Sequence, residues 1–328
     1  MYPVVGAPLH GTALEKLKHF LSSCGLDYDE NIDFTVLLME DGEVIATGSL
    51  DGTTVKCVAV SPAHQGEDLT GQIMTELMLK AAREGHRHLM LYTKPRNQAL
   101  FQPFGFHNVI RTPDCLLMEN QRNGLERFLE GLPKPSDQRG PIGCIVAHCN
   151  PFTLGHRWLI EQAAAECAWV HLFILSEDRG MFSAEERLQM ARAGCRDLPN
   201  VLVHPSGPYM VSSATFPTYF IKEKHRTGGI HCELDVRLFG EKIAPALGIT
   251  RRYVGTEPFC AVTAQYNEHM KRLLPDYGIE LCELERREAG GKAISASRVR
   301  YLIAEDNLQA LKDLLPLTTM KRIAHKEK

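Results

Sequence analysis

The pattern of apolar positions differs between the two halves of the chain, and it predicts two kinds of sheet. In the first half, short apolar segments alternate with turn signals such as Glu40-Asp41-Gly42, which favours a β-hairpin. Farther along, apolar residues recur at four-residue spacing and predict an amphipathic helix that ends at Gly85. The predicted elements are strands at 34–38, 44–47 and 54–60, a helix at 69–84 and a strand at 88–93. Strands, then a helix, then a strand are typical of an α+β domain.

The second half begins with continuous apolar runs, which are typical of strands buried on both faces of a sheet. Its predicted elements are a strand at 142–147, a helix at 154–167, a strand at 170–175 and a helix from the capping box Ser183-Ala184-Glu185-Glu186 to Ala193. Alternating strands and helices build a parallel, Rossmann-like α/β sheet. Ligands of such sheets bind at the carboxyl ends of the strands, where each strand turns into a helix.

A segment rich in proline and glycine separates the two halves. Residues 131–140 contain two prolines and two glycines among mostly polar residues, a composition that favours an interdomain linker. A chain of 328 residues is also about twice the usual domain length. We therefore expect an α+β domain at 1–130, a linker at 131–140 and an α/β domain at 141–328.

Composition and charge narrow the range of functions. With 44% hydrophobic and 23% charged residues the chain has a normal globular balance, and its net charge of −3 argues against a surface dedicated to nucleic acid or anionic membrane. No apolar run approaches the roughly 18 residues that cross a bilayer, and the first ten residues lack the layout of a secretory signal. The ten cysteines include no CxxC pair and no zinc-type cluster, so we expect reduced thiols in a cytoplasmic protein without a metal site.

The first strand-to-helix corner of the second half carries residues suited to binding phosphate. Thr153 is placed to cap the helix, and His156 lies on the same face of its first turn. The free amides of that turn and the helix dipole favour an anion. We expect Gly155 to let a ligand approach the backbone and Pro151 to end the strand.

A second corner of this kind follows the glycines Gly290 and Gly291. Ser295 and Ser297 supply hydroxyl groups at a predicted helix start, and Arg300 shares a face with Ser297. An arginine grips phosphate through two parallel hydrogen bonds, and Lys292 adds a mobile point charge. The two corners together predict a polyphosphate site.

These corners resemble the paired signatures of the nucleotidyltransferase superfamily. The first stands here as Thr153-Leu154-Gly155-His156, and the second as Ile294-Ser295-Ala296-Ser297-Arg298-Val299-Arg300. Four longer phrases are similar to those of the citrate lyase ligase family, and they start at Asn150, Ser212, Gly255 and Ile294. That resemblance covers nearly the whole chain. It departs from the family pattern at His148, where Asn is expected, and at Thr256, where an acidic residue is expected.

The resemblance implies an AMP-forming ligase reaction. Members of this family use ATP, with Mg²⁺, and acetate to acetylate the thiol of a CoA-like prosthetic group on the acyl carrier subunit of citrate lyase. Acetate attacks the α-phosphorus of ATP, and the thiol then attacks the resulting acetyl-adenylate. By resemblance, the catalytic residues are Thr153, His156, Ser297 and Arg300. The expected ATP-binding residues are Asn150, Pro151, Phe152, Gly155, Gly255, Glu257, Lys292, Ile294 and Ser295.

The first half resembles the GNAT acetyltransferases through Val58-Ala59-Val60-Ser61-Pro62 and Phe101-Gln102-Pro103-Phe104-Gly105-Phe106. In that family a glycine-rich loop wraps the pyrophosphate of acetyl-CoA with backbone amides. Here the loop is Gln65-Gly66-Glu67-Asp68-Leu69-Thr70, and Asp68 puts a carboxylate where the pyrophosphate is expected. We therefore expect a docking or scaffold role for this domain instead of acetyltransferase activity.

Several interpretations stay open at the level of sequence. Arg187 suits either the nucleotide site or a surface position, and Glu257 either lies near the nucleotide or caps a turn. The segment Tyr209–Tyr219 either lines the acetate or thiol pocket or packs as a loop on the sheet. The rival functions are a cofactor-making adenylyltransferase that acts on a phosphomonoester, such as nicotinamide mononucleotide or phosphopantetheine, and a nucleotide-binding regulator without catalysis.

Overall fold

The structure, a computed structural model, describes residues 2–135, 139–178, 180–210, 212, 215–257 and 260–326. These residues form two compact units. The first unit contains the residues up to Leu125 together with Phe216–Leu234, and the second contains Glu126–Thr215 together with the residues from Asp235 onward. The domain boundaries at 130 and 141 stay a prediction, and residues 136–138 of the expected linker lie outside the described residues.

Strands and helices account for most of the described chain. The strands are β1 (Tyr2–Gly6), β2 (Phe34–Glu40), β3 (Glu43–Asp51), β4 (Thr54–Val60), β5 (Met90–Thr93), β6 (His107–Arg111), β7 (Leu116–Glu119), β8 (Ile142–Ala147), β9 (Trp169–Ile174), β10 (Val201–Pro205), β11 (Arg251–Gly255), β12 (Glu280–Leu284), β13 (Glu288–Ala289) and β14 (Lys292–Ala293). The helices are α1 (Gly11–Ser23), α2 (Leu69–Arg83), α3 (Gln98–Phe101), α4 (Gly124–Glu130), α5 (Leu154–Glu166), α6 (Ala184–Gly194), α7 (Thr227–Leu238), α8 (Ala244–Leu247), α9 (Ala261–Leu273), α10 (Ala296–Ala304) and α11 (Leu317–Lys326). In the described part of the chain, none of the helices has the length and apolar character that a membrane span requires.

The first unit is built on a seven-stranded mixed sheet with the strand order β1-β2-β3-β4-β5-β7-β6. Its pairs are antiparallel except for β4 and β5, which run parallel. Helix α2 packs on this sheet and buries Ile73, Leu77 and Ala81, the face that the sequence spacing predicts. The α+β prediction is therefore confirmed, and the hairpin of β2 and β3 is present at its predicted place.

A segment from the second half of the sequence, Phe216–Leu234, completes the first unit. The hydroxyl of Tyr219 donates a hydrogen bond to the backbone oxygen of Tyr92, 3.1 Å away. The backbone oxygen of Tyr219 accepts from the amide of Asp27 at 2.8 Å, and the Asp27 carboxylate forms an ion pair with Lys224. This long-range packing has no counterpart in the local sequence pattern.

The second unit is built on a five-stranded parallel sheet with the strand order β10-β9-β8-β11-β12. The chain runs from β8 to β9 and β10 on one side and then continues at β11 and β12 on the other, so the winding reverses beside β8. Open sheets of this kind bind ligands at the carboxyl ends of the strands at such a reversal. The Rossmann-like prediction is confirmed, and α5 and α6 begin at the predicted caps Thr153 and Ser183.

Candidate functional site

The corner between β8 and α5 is held by a reciprocal capping box. The backbone amide of His156 donates to Oγ1 of Thr153 at 3.3 Å, and the backbone amide of Thr153 donates to Nδ1 of His156 at 3.0 Å. Because Nδ1 accepts this hydrogen bond, it carries no proton in the neutral ring, and the proton lies on Nε2. The fold therefore assigns the tautomer of His156 and leaves Nε2–H as a hydrogen-bond donor.

The electrostatic surroundings keep this imidazole neutral. Burial is the main cause that lowers the pKa of His156 to about 4, and the positive charge of Arg286, with that of His148 when it is protonated, adds to the effect. At pH 7 the side chain is thus an uncharged donor at the amino end of α5. Such a group suits hydrogen bonding to a phosphate oxygen, since the helix end already favours an anion.

The second corner is attached directly to the first. Nη1 of Arg300 donates to the backbone oxygen of Asn150 at 2.6 Å, and Nη2 donates to Oγ of Ser297 at 3.2 Å. Ser295 caps α10 by accepting from the amide of Arg298 at 3.2 Å. The amino ends of α5 and α10 therefore meet at one edge of the parallel sheet, as the paired signatures predict.

Gly155 lies where the two corners touch. A Cβ atom on this glycine would lie 3.1 Å from the backbone oxygen of Ile294, closer than most Cβ contacts in proteins. The space beside Gly155 is therefore filled by the second corner, whereas we expected it to admit a ligand. The lack of a side chain allows the two signatures to pack together.

Four of the expected ATP-binding residues are buried and pack beneath the surface of the candidate site. Asn150, Pro151, Phe152 and Ile294 are buried. The Asn150 side chain accepts a hydrogen bond from the backbone amide of Phe182 at 3.2 Å. The Phe152 ring packs against Gly194 and stacks on the His156 ring. Their side chains fix the shape of the corner, while Lys292 is exposed on β14.

A third strand end adds an ion pair to the same region. Glu257 lies two residues after Gly255, the last residue of β11, and its carboxylate forms an ion pair with Arg286. Nε of Arg286 also donates to the backbone oxygen of Thr256 at 2.7 Å. The charge of Arg286 acts on the pKa of His156, so these groups lie near the first corner. The neighbouring Pro258 and Phe259 of the predicted phrase lie outside the described residues.

Comparison with known proteins assigns the chain to a family. The family model of the citrate lyase ligase C-terminal domain matches residues 142–323. The chain is 42% identical over 313 residues to the citrate (pro-3S)-lyase ligase of Escherichia coli (strain K12). The aligned residues cover 94% of this chain and 89% of that protein. It is 40% identical to the protein of the same name from Haemophilus influenzae, with 94% of each chain covered. The chain belongs to the citrate lyase ligase family. The family predicted from the sequence is thus confirmed.

Two further kinds of similarity cover less of this citrate lyase ligase family member. A segment of 57 residues, 17% of the chain, is 39% identical to the phosphopantetheine adenylyltransferase of Staphylococcus carnosus (strain TM300). Solved structures of an acyl-CoA N-acyltransferase from Pseudomonas aeruginosa and of Escherichia coli ElaA each cover 37% of the chain at 18% identity, with a TM-score of 0.33. The matches cover 100% and 99% of those two chains, respectively.

Arg187 has a structural position in this family member. Its guanidinium is fully buried and donates to backbone oxygens at the ends of two strands: to that of His148 at 2.7 Å and that of Leu175 at 2.8 Å. It also donates to the backbone oxygens of Phe182 and Glu177. The surface interpretation of Arg187 is therefore wrong. The residue ties the carboxyl ends of β8 and β9 together.

The segment Tyr209–Tyr219 is divided between the two units. In the second unit, the Glu177 carboxylate accepts hydrogen bonds from the amide and hydroxyl of Ser212 and from the hydroxyl of Thr215. These hydroxyls are therefore bonded to Glu177, which follows β9, while Phe216–Leu234 belongs to the first unit. Ser213 and Ala214 of the predicted phrase lie outside the described residues.

His148 and Arg286 are two residues near the candidate site that the sequence did not single out. Nε2 of His148 is buried and has no hydrogen-bond partner among the described residues. Burial lowers the pKa of His148, and the charges of Arg187 and Arg300 lower it further, so this imidazole is also neutral at pH 7. The only sequence signal at His148 was its departure from the family pattern, and Arg286 carried none.

Proposed function

We propose that this chain is an ATP-dependent ligase that acetylates the thiol of the prosthetic group on the acyl carrier subunit of citrate lyase. ATP, acetate and the deacetylated carrier are the substrates; acetyl-adenylate is the intermediate; AMP and pyrophosphate are released. The observation that supports it most is the hydrogen bond from Arg300 to Asn150. This bond joins the amino ends of α5 and α10, which are both suited to binding phosphate. The names of the relatives that span nearly the whole chain supply the substrate class. A cytoplasmic location, where ATP is available, is part of this proposal.

In this reaction the protein binds and orients the triphosphate. Nε2–H of His156 and the hydroxyl of Thr153 bind the phosphate that is transferred, while Ser295, Ser297, Arg300 and Lys292 bind the β- and γ-phosphates. An acetate oxygen forms a bond to the α-phosphorus, and the bond from the α-phosphorus to the bridging oxygen breaks, so that pyrophosphate leaves with the electron pair. The donors stabilise the charge that develops on these oxygens.

No general base is required for the first step, because acetate is ionised at neutral pH. The carrier thiolate then attacks the acetyl carbon, and AMP leaves with the electrons of the bond that breaks. Mg²⁺ bound to the triphosphate supplies further positive charge. Phosphate oxygens and water would hold most of its coordination positions.

Formation of AMP tests the proposal directly. We expect AMP to form from ATP only when acetate and deacetylated citrate lyase are both present, with recovery of citrate lyase activity. The match to phosphopantetheine adenylyltransferase favours one rival, an adenylyltransferase that acts on a phosphomonoester. Exchange of pyrophosphate into ATP that depends on 4′-phosphopantetheine and is indifferent to acetate would establish that rival instead.

A further inference from the structure

The carboxyl end of β12 contributes a cation to the edge of the sheet where the two helix corners meet. Strands β11 and β12 are parallel and pair as far as Gly255 and Leu284. Strand β11 also pairs in parallel with β8, the strand that leads into the first corner. Arg286 follows the end of β12 by two residues, so its backbone lies at the same edge as that corner. The roles assigned above leave this arginine without a task.

Arg286 is held along one edge of its guanidinium. Nε donates to the backbone oxygen of Thr256 at 2.7 Å, and Nη2 pairs with the Glu257 carboxylate. A Cβ atom on Gly255 would lie 3.6 Å from Cγ of Arg286, so the stem of the side chain packs over the end of β11. The segment after β11 therefore sets the orientation of the side chain before a ligand arrives.

The other edge of this guanidinium is available to a ligand. An arginine side chain has five N–H donors, and the bonds to Thr256 and Glu257 use only Nε and one proton of Nη2. Nη1 has no hydrogen-bond acceptor among the described residues, and 28% of the side chain is exposed. Two parallel donors on this edge match the spacing of two oxygens of a phosphate group.

The charge of Arg286 acts where the proposed reaction needs a cation. Among charged groups it has the largest effect on the His156 imidazole, whose pKa it lowers. His156 is neutral at pH 7 and therefore adds no net charge of its own. Acetate and the α-phosphate are both anions, and their approach is opposed by mutual repulsion. Since an arginine side chain is always charged, Arg286 is a permanent cation on the His156 side of the site.

We propose that Arg286 is a further substrate-binding residue and that its free edge binds oxygens of the α-phosphate of the nucleotide. This assignment rests on the proposed function, in which His156 binds the same phosphate. The α-phosphate stays with the adenosine in ATP, acetyl-adenylate and AMP. Arg286 therefore keeps its contact through both steps, whereas residues on the β- and γ-phosphates lose their ligand when pyrophosphate leaves.

Calorimetric titration of the full chain with adenosine, AMP and ATP, in the absence of acetate, tests the proposal without catalysis. The wild type should bind AMP more tightly than adenosine. Arg286→Gln should weaken binding of AMP and of ATP about tenfold each, the size of one lost charge-assisted hydrogen bond, and leave binding of adenosine unchanged. Arg287→Gln is the matched control. Arg287 is exposed, and its side chain forms no hydrogen bond or ion pair with another described residue, so this variant should bind like the wild type.

Labelling of the wild type gives a second measurement, which does not depend on the folding of a variant. Phenylglyoxal modifies accessible guanidinium groups, and peptide mass spectrometry with fragmentation reports Arg286 and Arg287 separately. AMP should slow the modification of Arg286 several-fold, while adenosine should not. The rate at Arg287 should be the same with either compound.

Three results would overturn the inference. One is that Arg286→Gln weakens binding of ATP and not of AMP, which would place the guanidinium on the β- and γ-phosphates. Another is that Arg286→Gln binds AMP as tightly as Arg287→Gln does. The third is that AMP leaves the labelling rate of Arg286 unchanged. A failure of the proposed function appears separately, as absence of acetate-dependent AMP formation in the wild type.

Discussion

The guanidinium of Arg300 lies 2.6 Å from the backbone oxygen of Asn150 and donates a hydrogen bond to it. These residues belong to different strand-to-helix corners that are far apart in the sequence. The second nitrogen of the guanidinium reaches the hydroxyl of Ser297 at 3.2 Å. One side chain thus fixes the distance between the two helix ends that we assign to the triphosphate.

Replacement of Arg300 by lysine should impair the reaction even though the charge is kept. A lysine is a point charge that cannot bond Asn150 and Ser297 in the fixed geometry of a guanidinium. We expect acetate-dependent exchange of pyrophosphate into ATP to fall about 100-fold, as for the loss of one well-placed transition-state donor. Arg298→Lys is the matched control: Nη1 of Arg298 donates to Ala289 on the neighbouring hairpin, and its exchange rate should be unchanged. Full activity of Arg300→Lys would remove this residue from the site.

His156→Ala should separate the catalytic from the structural role of the capping box. Loss of the Nε2–H donor should lower the exchange rate about 10²- to 10⁴-fold. Loss of the acceptor for the Thr153 amide should lower the free energy of unfolding by about 1 kcal/mol. Glu186→Ala is the matched control. It removes the corresponding hydrogen bond of the α6 capping box, which the Ser183 amide donates to the Glu186 carboxylate at 2.7 Å. Chemical denaturation should show a similar loss of unfolding free energy for Glu186→Ala, while its rate of pyrophosphate exchange stays at the wild-type level. Equal exchange rates for His156→Ala and Glu186→Ala would contradict the assignment of His156.

His148→Leu should lower activity without lowering stability. The buried Nε2 atom has no partner among the described residues, and an apolar side chain of similar size avoids that cost. We expect the free energy of unfolding to stay level or rise by up to about 1 kcal/mol. We infer from the unpaired Nε2 atom that it bonds a substrate, so exchange should fall about tenfold. Denaturant titration and the exchange assay on the same preparation check this. A variant that loses stability and keeps its activity would show His148 to be purely structural.

A buried histidine pair should make the protein acid-sensitive. Nδ1 of His171 lies 2.9 Å from Nε2 of His204, and burial lowers the pKa of His171 to about 4 and that of His204 to about 3. Arg192 of α6 also lowers the pKa of His204. Because these pKa values are below those of the unfolded chain, the unfolded state binds more protons below about pH 6.5, and stability falls as the pH drops from there toward 4.

The size of this effect follows from the pKa of one member of the pair. At about 1.4 kcal/mol for each pKa unit, His171 alone accounts for about 3 kcal/mol of lost unfolding free energy by pH 4. Urea titrations at pH 7, 5.5 and 4 measure the slope. The double variant His171→Leu/His204→Leu removes both titrating groups without leaving one unpaired, so its profile should be flatter. A double variant with the wild-type slope would show that other groups cause the acid sensitivity.

Elements defined by local patterns were predictable from the sequence, and those defined by long-range packing were not. Strand β8 has the predicted bounds because a continuous apolar run followed by Pro151 is a local signal. Strand β1 was missed, since its place at the edge of the sheet depends on pairing with β2. Likewise, no local pattern predicts that Phe216–Leu234 packs in the first unit.

The same distinction holds for the site. Thr153, His156 and Ser295 were recognisable because a helix cap depends on residues three apart. Arg286 was missed because its relation to His156 arises only when β12 is added to the sheet beside β11. The burial of Arg187 was also not predictable, since its bonds to the ends of two strands require the folded sheet.

A double-mutant cycle between His156 and Arg300 tests most directly whether both corners act on one triphosphate. The measurement is acetate-dependent exchange of pyrophosphate into ATP for the wild type, His156→Ala, Arg300→Ala and the double variant. Groups that act together on one transition state are strongly non-additive, so the double variant should be about as slow as the slower single variant. If instead the two losses multiply, the residues act independently, and the shared triphosphate site is contradicted.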